Sequence, residues 1–251
     1  MKDIIDRCAV YLDSDLSEEL SQHHDVIILD NITTWRMENL QGLIKRGDVA
    51  FVRGDINDTP LLENLFTDAD GVFHQAALPS VQRSVKNPMA THEANVTGTL
   101  NVLLAARDAG VRKVVMASSS SVYGNTPTLP KHEGMIPSPL SPYAVSKIAD
   151  EYYASVFSDL YGLQTVCLRY FNVFGPHQDP NSQYAAVIPN FVKQILAGRP
   201  PVIYGDGGQT RDFTYIKNVV QANIKSMEND AQGASASPAG NGSTYLTLPR
   251  T

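Results

Sequence analysis

The chain has 251 residues, of which 43% are hydrophobic and 18% charged, with a formal net charge of −6. That length and apolar content sustain one sizeable core, or one core with a small appendage. An acidic balance without a basic tract excludes the electrostatic footprint of a nucleic-acid binder, so any anionic ligand must be held by local donors. The two cysteines, Cys8 and Cys167, match no metal-ligand spacing, and no secretory or membrane-spanning segment is visible. The expectation is a soluble, cytoplasmic protein without a metal.

In chain order, Asp25-Val-Ile-Ile-Leu-Asp30 is a compact apolar run closed by an acid, and Val49-Ala-Phe-Val-Arg-Gly-Asp55 repeats the design. Both predict buried strands, as do residues 71–77, 113–118 and 165–170. Between them, residues 61–65, 93–109 and 143–161 carry helical periodicity. Strands alternating with helices imply a parallel sheet covered on both faces, with ligands gathered at the carboxyl ends of the strands. Beyond Asn172 the pattern loosens into a loop at 175–180, a helix at 186–197, a short strand at 200–204 and a loop at 205–212. From residue 230 onward Gly, Ala, Ser, Pro and Asn predominate, which predicts a flexible tail.

Two features carry chemistry. Tyr143 and Lys147 lie four residues apart in a helical segment and so point the same way, as a candidate acid/base pair. Upstream, the strand at 113–118 runs into Ser118-Ser119-Ser120-Ser121, which places hydroxyls at a strand end. The Tyr-x-x-x-Lys spacing alone is equally met by an aromatic and a solvated lysine on a helix surface.

Several segments, in order, add specificity: Leu29-Asp30-Asn31, Gly54-Asp55-Ile56, His74-Gln-Ala-Ala77, Asn95-Val-Thr-Gly98, the serine run, Ser141-Pro-Tyr143, Arg169-Tyr-Phe-Asn172 and Gln209-Thr-Arg-Asp-Phe213. Together they resemble the extended short-chain dehydrogenase/reductase family, most closely its UDP-glucose and UDP-N-acetylglucosamine 4-epimerases, from about residue 25 to 226. The resemblance implies an α/β, Rossmann-like doubly wound parallel sheet with a small, truncated C-terminal substrate-binding lobe. The corresponding division is 1–172 for the NAD-binding domain, 173–229 for the partial substrate lobe and 230–251 for the tail. It further implies NAD as cofactor, a UDP-sugar as substrate, and a homodimer paired through the helices at 93–109 and 143–161.

Carried to matching positions, the resemblance makes Tyr143 the catalytic acid/base, Lys147 its electrostatic partner and Ser119 the hydroxyl that relays or orients the proton. The sugar 4-hydroxyl would lose its proton to Tyr143 and its hydride to NAD, and the 4-keto sugar would receive that hydride on its other face. An ammonium beside a phenol favours the phenolate, which suits Tyr143 to the task. Asp30 would accept from the adenosine ribose, where a carboxylate favours NAD over its 2′-phosphorylated form. Asn31, Asp55, Ile56, Ala76, Ala77, Asn95, Ser118 and Tyr170 complete the implied cofactor contacts. Ser80, Arg83, Asn172, Ala186 and Arg211 join Ser119 and Tyr143 toward the substrate. An arginine suits a diphosphate through its planar fork of donors.

The serine run separates reaction types within the family. Dehydratases place an Asp-Glu pair after the Ser119-equivalent hydroxyl, and decarboxylases keep the Glu, whereas this chain has Ser120 and Ser121. Epimerisation therefore fits better than elimination or decarboxylation. The chain departs from the family at its first turn, where Thr-Gly-Gly-x-Gly-x-x-Gly is replaced by Asp6-Arg-Cys-Ala-Val-Tyr-Leu-Asp13. Val10 resists positive φ and crowds a pyrophosphate, and the Asp13 carboxylate repels it. The expectation is weakened NAD binding, which leaves a non-catalytic or impaired homologue as the alternative reading. Family members also continue past residue 251, so the substrate lid is expected to be incomplete.

Overall fold

The computed structural model of the protein describes residues 1–6, 12–33, 37–176, 178, 187–203 and 212–236. Its first half alternates strand and helix: β1 (Lys2–Asp6), α1 (Leu12–Leu20), β2 (Asp25–Asp30), α2 (Glu38–Arg46), β3 (Val49–Arg53), α3 (Thr59–Phe66) and β4 (Gly71–His74). Two short helices follow, α4 (Val81–Lys86) and α5 (Pro88–His92), then a π-helical turn at Glu93–Thr97 leading into α6 (Gly98–Asp108). β5 (Lys113–Ser119), a 3₁₀ turn (Ser120–Tyr123), α7 (Pro142–Tyr161) and β6 (Gln164–Tyr170) complete the alternating part. The remainder comprises β7 (Asn172–Phe174), α8 (Val187–Leu196), β8 (Phe213–Tyr215), α9 (Ile216–Glu228) and β9 (Gly233–Ala236).

Seven strands form one parallel sheet in the order β3-β2-β1-β4-β5-β6-β9, while β7 and β8 pair as a separate parallel ribbon. Successive strand residues face opposite sides, so the apolar pairs divide between two cores. Ile4, Leu29, Val72 and Val114 pack with Leu62 and Phe66 of α3, Val102 and Leu103 of α6, and Phe157 of α7. Ile5, Ile28, Phe73 and Val115 pack with Leu16 of α1, Leu40 and Leu43 of α2, and Val219 and Met227 of α9. This is the expected Rossmann-like α/β architecture. Strand order reverses between β1 and β4, which opens a crevice at their carboxyl ends.

Four local differences have physical causes. The helix expected over 93–109 starts with the π turn, a one-residue excess that accommodates the inward reach of the buried Asn95 amide. The strand expected at 200–204 is absent over residues 200–203, where Pro200 and Pro201 have no N–H to give a ladder. The composition-based tail is corrected over 233–236: Gly-Ala-Ser-Ala pairs in parallel with Val166–Arg169 of β6, so backbone bonds order a segment too small in side chains to signal itself. The helix at 216–228, which the sequence reading left in the second lobe, packs on the main sheet through Val219, Val220 and Met227. Among the described residues, no helix is long and apolar enough to cross a membrane.

Candidate functional site

The site lies where β4, β5 and β6 end and α7 begins. Helix α7 starts sharply because the Ser141 side chain accepts from the Ala144 N–H at 3.1 Å and Pro142 occupies the first turn, where no donor is needed. One helical turn then carries Tyr143 and Lys147 toward the same side. A cavity of about 180 Å³ is lined by Gln75, Ala77 and Pro79 after β4, Ser118 and Ser119 of β5, Tyr143 and Lys147 of α7, Tyr170 at the end of β6 and Phe171 after it. Leu12 of α1, Ala117 and Val173 close it.

The Ser119 and Tyr170 hydroxyls in this cavity are each oriented by a nearby group. Ser119 Oγ accepts from the Ser121 N–H at 3.2 Å and from Ser121 Oγ at 2.9 Å. With its lone pairs so engaged, the Ser119 hydroxyl keeps its proton for donation. Gly124 ends this turn at φ 57°, and a Cβ there would lie 2.0 Å from the Ser138 carbonyl oxygen, so the close return of the chain requires glycine. Tyr170 donates to Gln75 Oε1 at 3.0 Å and accepts from Asn223 Nδ2 of α9 at 2.8 Å.

Ser118 points to the other side of β5 and donates to Glu151, whose carboxylate also takes a two-pronged contact from Arg169, with Nε at 2.9 Å and NH2 at 2.7 Å. Arg169 NH1 in turn donates to Tyr123 OH at 3.1 Å. Burial would lower the pKa of Arg169, but the Glu151 and Tyr123 contacts outweigh it and raise it. This buried lattice ties β5, β6 and α7 together directly beneath the serine run.

Lys147 is 2% exposed, and its ammonium donates to Asp150 Oδ2 at 3.2 Å. Burial alone would lower its pKa. The Asp150 carboxylate, with Tyr143 and Cys167 also facing it, more than offsets that and holds the group above the ordinary lysine value. Nearby, the buried His74 ring bonds Asp6 Oδ2 at 2.6 Å through Nδ1 and lies 2.7 Å from the Thr99 hydroxyl through Nε2. Asp6 Oδ1 also accepts from the Gln75 and Ala76 N–H groups, at 2.9 and 3.2 Å.

The other expected site residues are distributed around this centre. Asp30 is buried at the end of β2, with Oδ1 accepting from the Ile32 N–H at 2.5 Å. Asn31 donates to Asp55 at 2.7 Å, and Ile56 packs into the core beside them, so these four cluster at the ends of β2 and β3. Asn95 accepts from the Leu78 N–H at 2.7 Å and donates to Ser146 at 2.9 Å, so its amide binds the loop after β4 to α7. Ser80, with φ 101°, caps α4 by accepting from the Arg83 N–H, and both residues are half-buried. Asn172 is exposed at the start of β7 and donates to the Asp212 carbonyl at 2.9 Å. Ala186, Arg211 and the altered turn at residues 7–11 lie outside the described residues.

The cavity thus unites Ala77, Ser118, Ser119, Tyr143, Lys147 and Tyr170, whereas Asp30, Asn31, Asp55 and Ile56 sit at a second position along the crevice. Sequence reasoning missed Gln75, Asn223, Glu151 and Asp150. Asp150 alone had a local signal, an acid three residues after Lys147. Among the described residues, no group of three or more His, Cys, Asp or Glu is arranged for a metal.

A parallel sheet whose strand order reverses between β1 and β4, with a tyrosine, a lysine and a serine gathered at neighbouring strand ends, defines a Rossmann-like α/β fold. The model of the NAD dependent epimerase/dehydratase family matches residues 11–238, and the chain belongs to that family. It is 38% identical to the UDP-glucose 4-epimerase of Mycolicibacterium smegmatis over 98% of this chain and 76% of that protein. Among solved structures, UDP-N-acetylglucosamine 4-epimerase from Methanobrevibacter ruminantium, in complex with UDP-N-acetylmuramic acid, superposes with a TM-score of 0.90. That match has 41% identity and covers 94% of this chain and 75% of that one. The Thermus thermophilus UDP-glucose 4-epimerase complex with NAD gives 0.85, at 36% identity, over 96% and 78%. Relatives also include a UDP-glucuronate 4-epimerase and a decarboxylase, so membership defines nucleotide-sugar chemistry more broadly than one substrate.

Proposed function

We propose that the chain is an NAD-dependent nucleotide-sugar 4-epimerase acting on UDP-glucose or UDP-N-acetylglucosamine. The observation that carries this reading is the single cavity joining Ser119, Tyr143 and Lys147, with Ser121 rather than a carboxylate beside Ser119. The polar groups fit the cofactor: a buried carboxylate, Asp30, stands at the end of β2 for ribose hydroxyls, and the Lys147 ammonium of α7 presents a donor in the cavity. When bound, NAD would take hydride from the sugar and return it.

The chain's own residues handle the proton. Tyr143 would remove it from the sugar 4-hydroxyl and restore it after the sugar has turned. The Lys147 ammonium would stabilise the phenolate, and Ser119, with its acceptor positions filled by Ser121, would donate to the sugar oxygen. A carboxylate at position 121 would supply the second proton handler that elimination needs. The hydroxyl there supports an epimerase over a dehydratase.

The second reading, an impaired homologue with weakened NAD binding, rests on the residues Val10 and Asp13 in the altered turn. Incubating the purified chain with saturating NAD and either UDP-sugar, then separating the products, decides between them. The epimerase reading expects an equilibrium mixture of the two C4 epimers. Unchanged sugar at every NAD concentration would leave the impaired homologue standing.

A further inference from the structure

The Lys147–Asp150 pair asks for an explanation beyond stability. Removing two charges from water costs several kcal/mol per ion, and apolar residues of similar size commonly serve a core as well or better. Among the described residues, Asp150 Oδ1 is moreover buried without a hydrogen-bond partner. A carboxylate kept there despite an unsatisfied oxygen is doing something other than filling space.

We propose that Asp150 is a positioning residue for Lys147: it holds the ammonium charged and fixed in the floor of the cavity, ready to act on Tyr143 and on a bound nucleotide. Three observations carry this. Asp150 lies one turn further along α7 from Lys147, with its side chain 3% exposed, so the pair is shielded from solvent screening. Among the described residues, the carboxylate is the group that accepts from the Lys147 ammonium, at 3.2 Å. Burial pushes the Asp150 carboxyl above the usual carboxylate range, and Lys147, with His74 of β4 and Thr99 of α6 facing it from other elements, works against that and favours the charged form.

The groups around the pair define what its loss does. Lys147 is faced by Asp150 and Tyr143 from α7 and by Cys167 from β6. Asp150 is faced by Lys147, by Thr99, and by His74, whose other nitrogen is held by Asp6 of β1. Without the carboxylate, the burial that opposes the ammonium is no longer offset by its main partner, and Lys147 gives up its proton at lower pH. A neutral Lys147 no longer stabilises a phenolate at Tyr143. Part of this consequence rests on the proposed epimerase reading, but the ionisation of Lys147 does not.

The test follows the lysine directly. Nitrogen-15 NMR of lysine-labelled protein, with Lys147 assigned through a K147R sample, is recorded against pH for the wild type and for Asp150→Asn. The inference expects the Lys147 deprotonation in D150N to move down by at least one pH unit. Asp150→Glu should restore most of the shift. Superimposable Lys147 titrations in wild type and D150N would overturn it. If D150N does not fold, Asp150→Ser makes the same comparison. In turnover, the alkaline limb of the kcat profile should move down with the NMR shift while KM for the sugar stays within about twofold. If Lys147 shifts as expected but no variant turns over a UDP-sugar, the positioning role stands and the epimerase reading fails.

Discussion

Tyr143→Phe is expected to lower the turnover of UDP-glucose and UDP-N-acetylglucosamine by roughly 10²–10⁴-fold, the usual contribution of a positioned acid/base. The effect should fall on kcat, because the ring that lines the cavity is retained and only the proton-carrying hydroxyl is removed. Tyr143 is half-buried, so the loss of one hydroxyl should change folding stability by less than about 1 kcal/mol. Steady-state kinetics beside urea unfolding checks both halves. Turnover within tenfold of wild type would show that another group moves the proton.

The second large effect is structural. Glu151→Ala should destabilise the fold by about 3–5 kcal/mol, because it strands the buried Arg169 guanidinium and removes the acceptor for Ser118. Domains of this kind are stable by roughly 5–15 kcal/mol, so that is a large fraction of the whole. Urea unfolding at neutral pH measures it. A loss below about 1 kcal/mol would mean that the lattice linking β5, β6 and α7 contributes little. The two substitutions separate two expected roles of the same helix: a loss of turnover at Tyr143, which lines the cavity, and a loss of stability at Glu151, which ties α7 to β5 and β6.

Much of this was legible in the sequence for a physical reason. Strands β2, β4, β5 and β6 carry apolar runs such as Val-Ile-Ile-Leu and Val-Val-Met that announce them, and α3, α6 and α7 carry their own period, whereas β1, Lys-Asp-Ile-Ile-Asp, has too short an apolar run to be read as a strand. The grouping of Ser119, Tyr143 and Lys147 at one cavity was legible because their spacing is local to α7 and to the end of β5. What was not legible depends on contacts remote in sequence. Asp6 meets His74 across 68 residues, and Tyr170 meets Asn223 across 53. No window along the chain contains both partners of either pair.

The pairing of β9 and the bonds of Asn95 both depend on contacts remote in sequence. Gly233–Ala236 is ordered by the open edge of β6, whose backbone groups offer a ladder to any compatible segment. Composition registers side-chain burial and is blind to that offer. Asn95 is assigned to the cofactor channel by resemblance, and its amide makes bonds to Leu78 and Ser146 that hold the loop after β4 against α7. It shapes the cavity wall through those residues. The Asp150 carboxylate was overlooked because an acid three residues after a lysine is ordinarily a solvated surface pair. Burial alone distinguishes it.

The central claim is that one cavity removes and restores the same hydrogen at carbon 4, with Tyr143 moving only the proton of the hydroxyl. UDP-glucose and UDP-N-acetylglucosamine deuterated at carbon 4 test it, incubated with NAD and the chain in ordinary water and followed by NMR and mass spectrometry. The account predicts that a C4 epimer forms and retains the deuterium at carbon 4. Epimer that has exchanged the label for solvent hydrogen, or no epimer from either sugar, would contradict it.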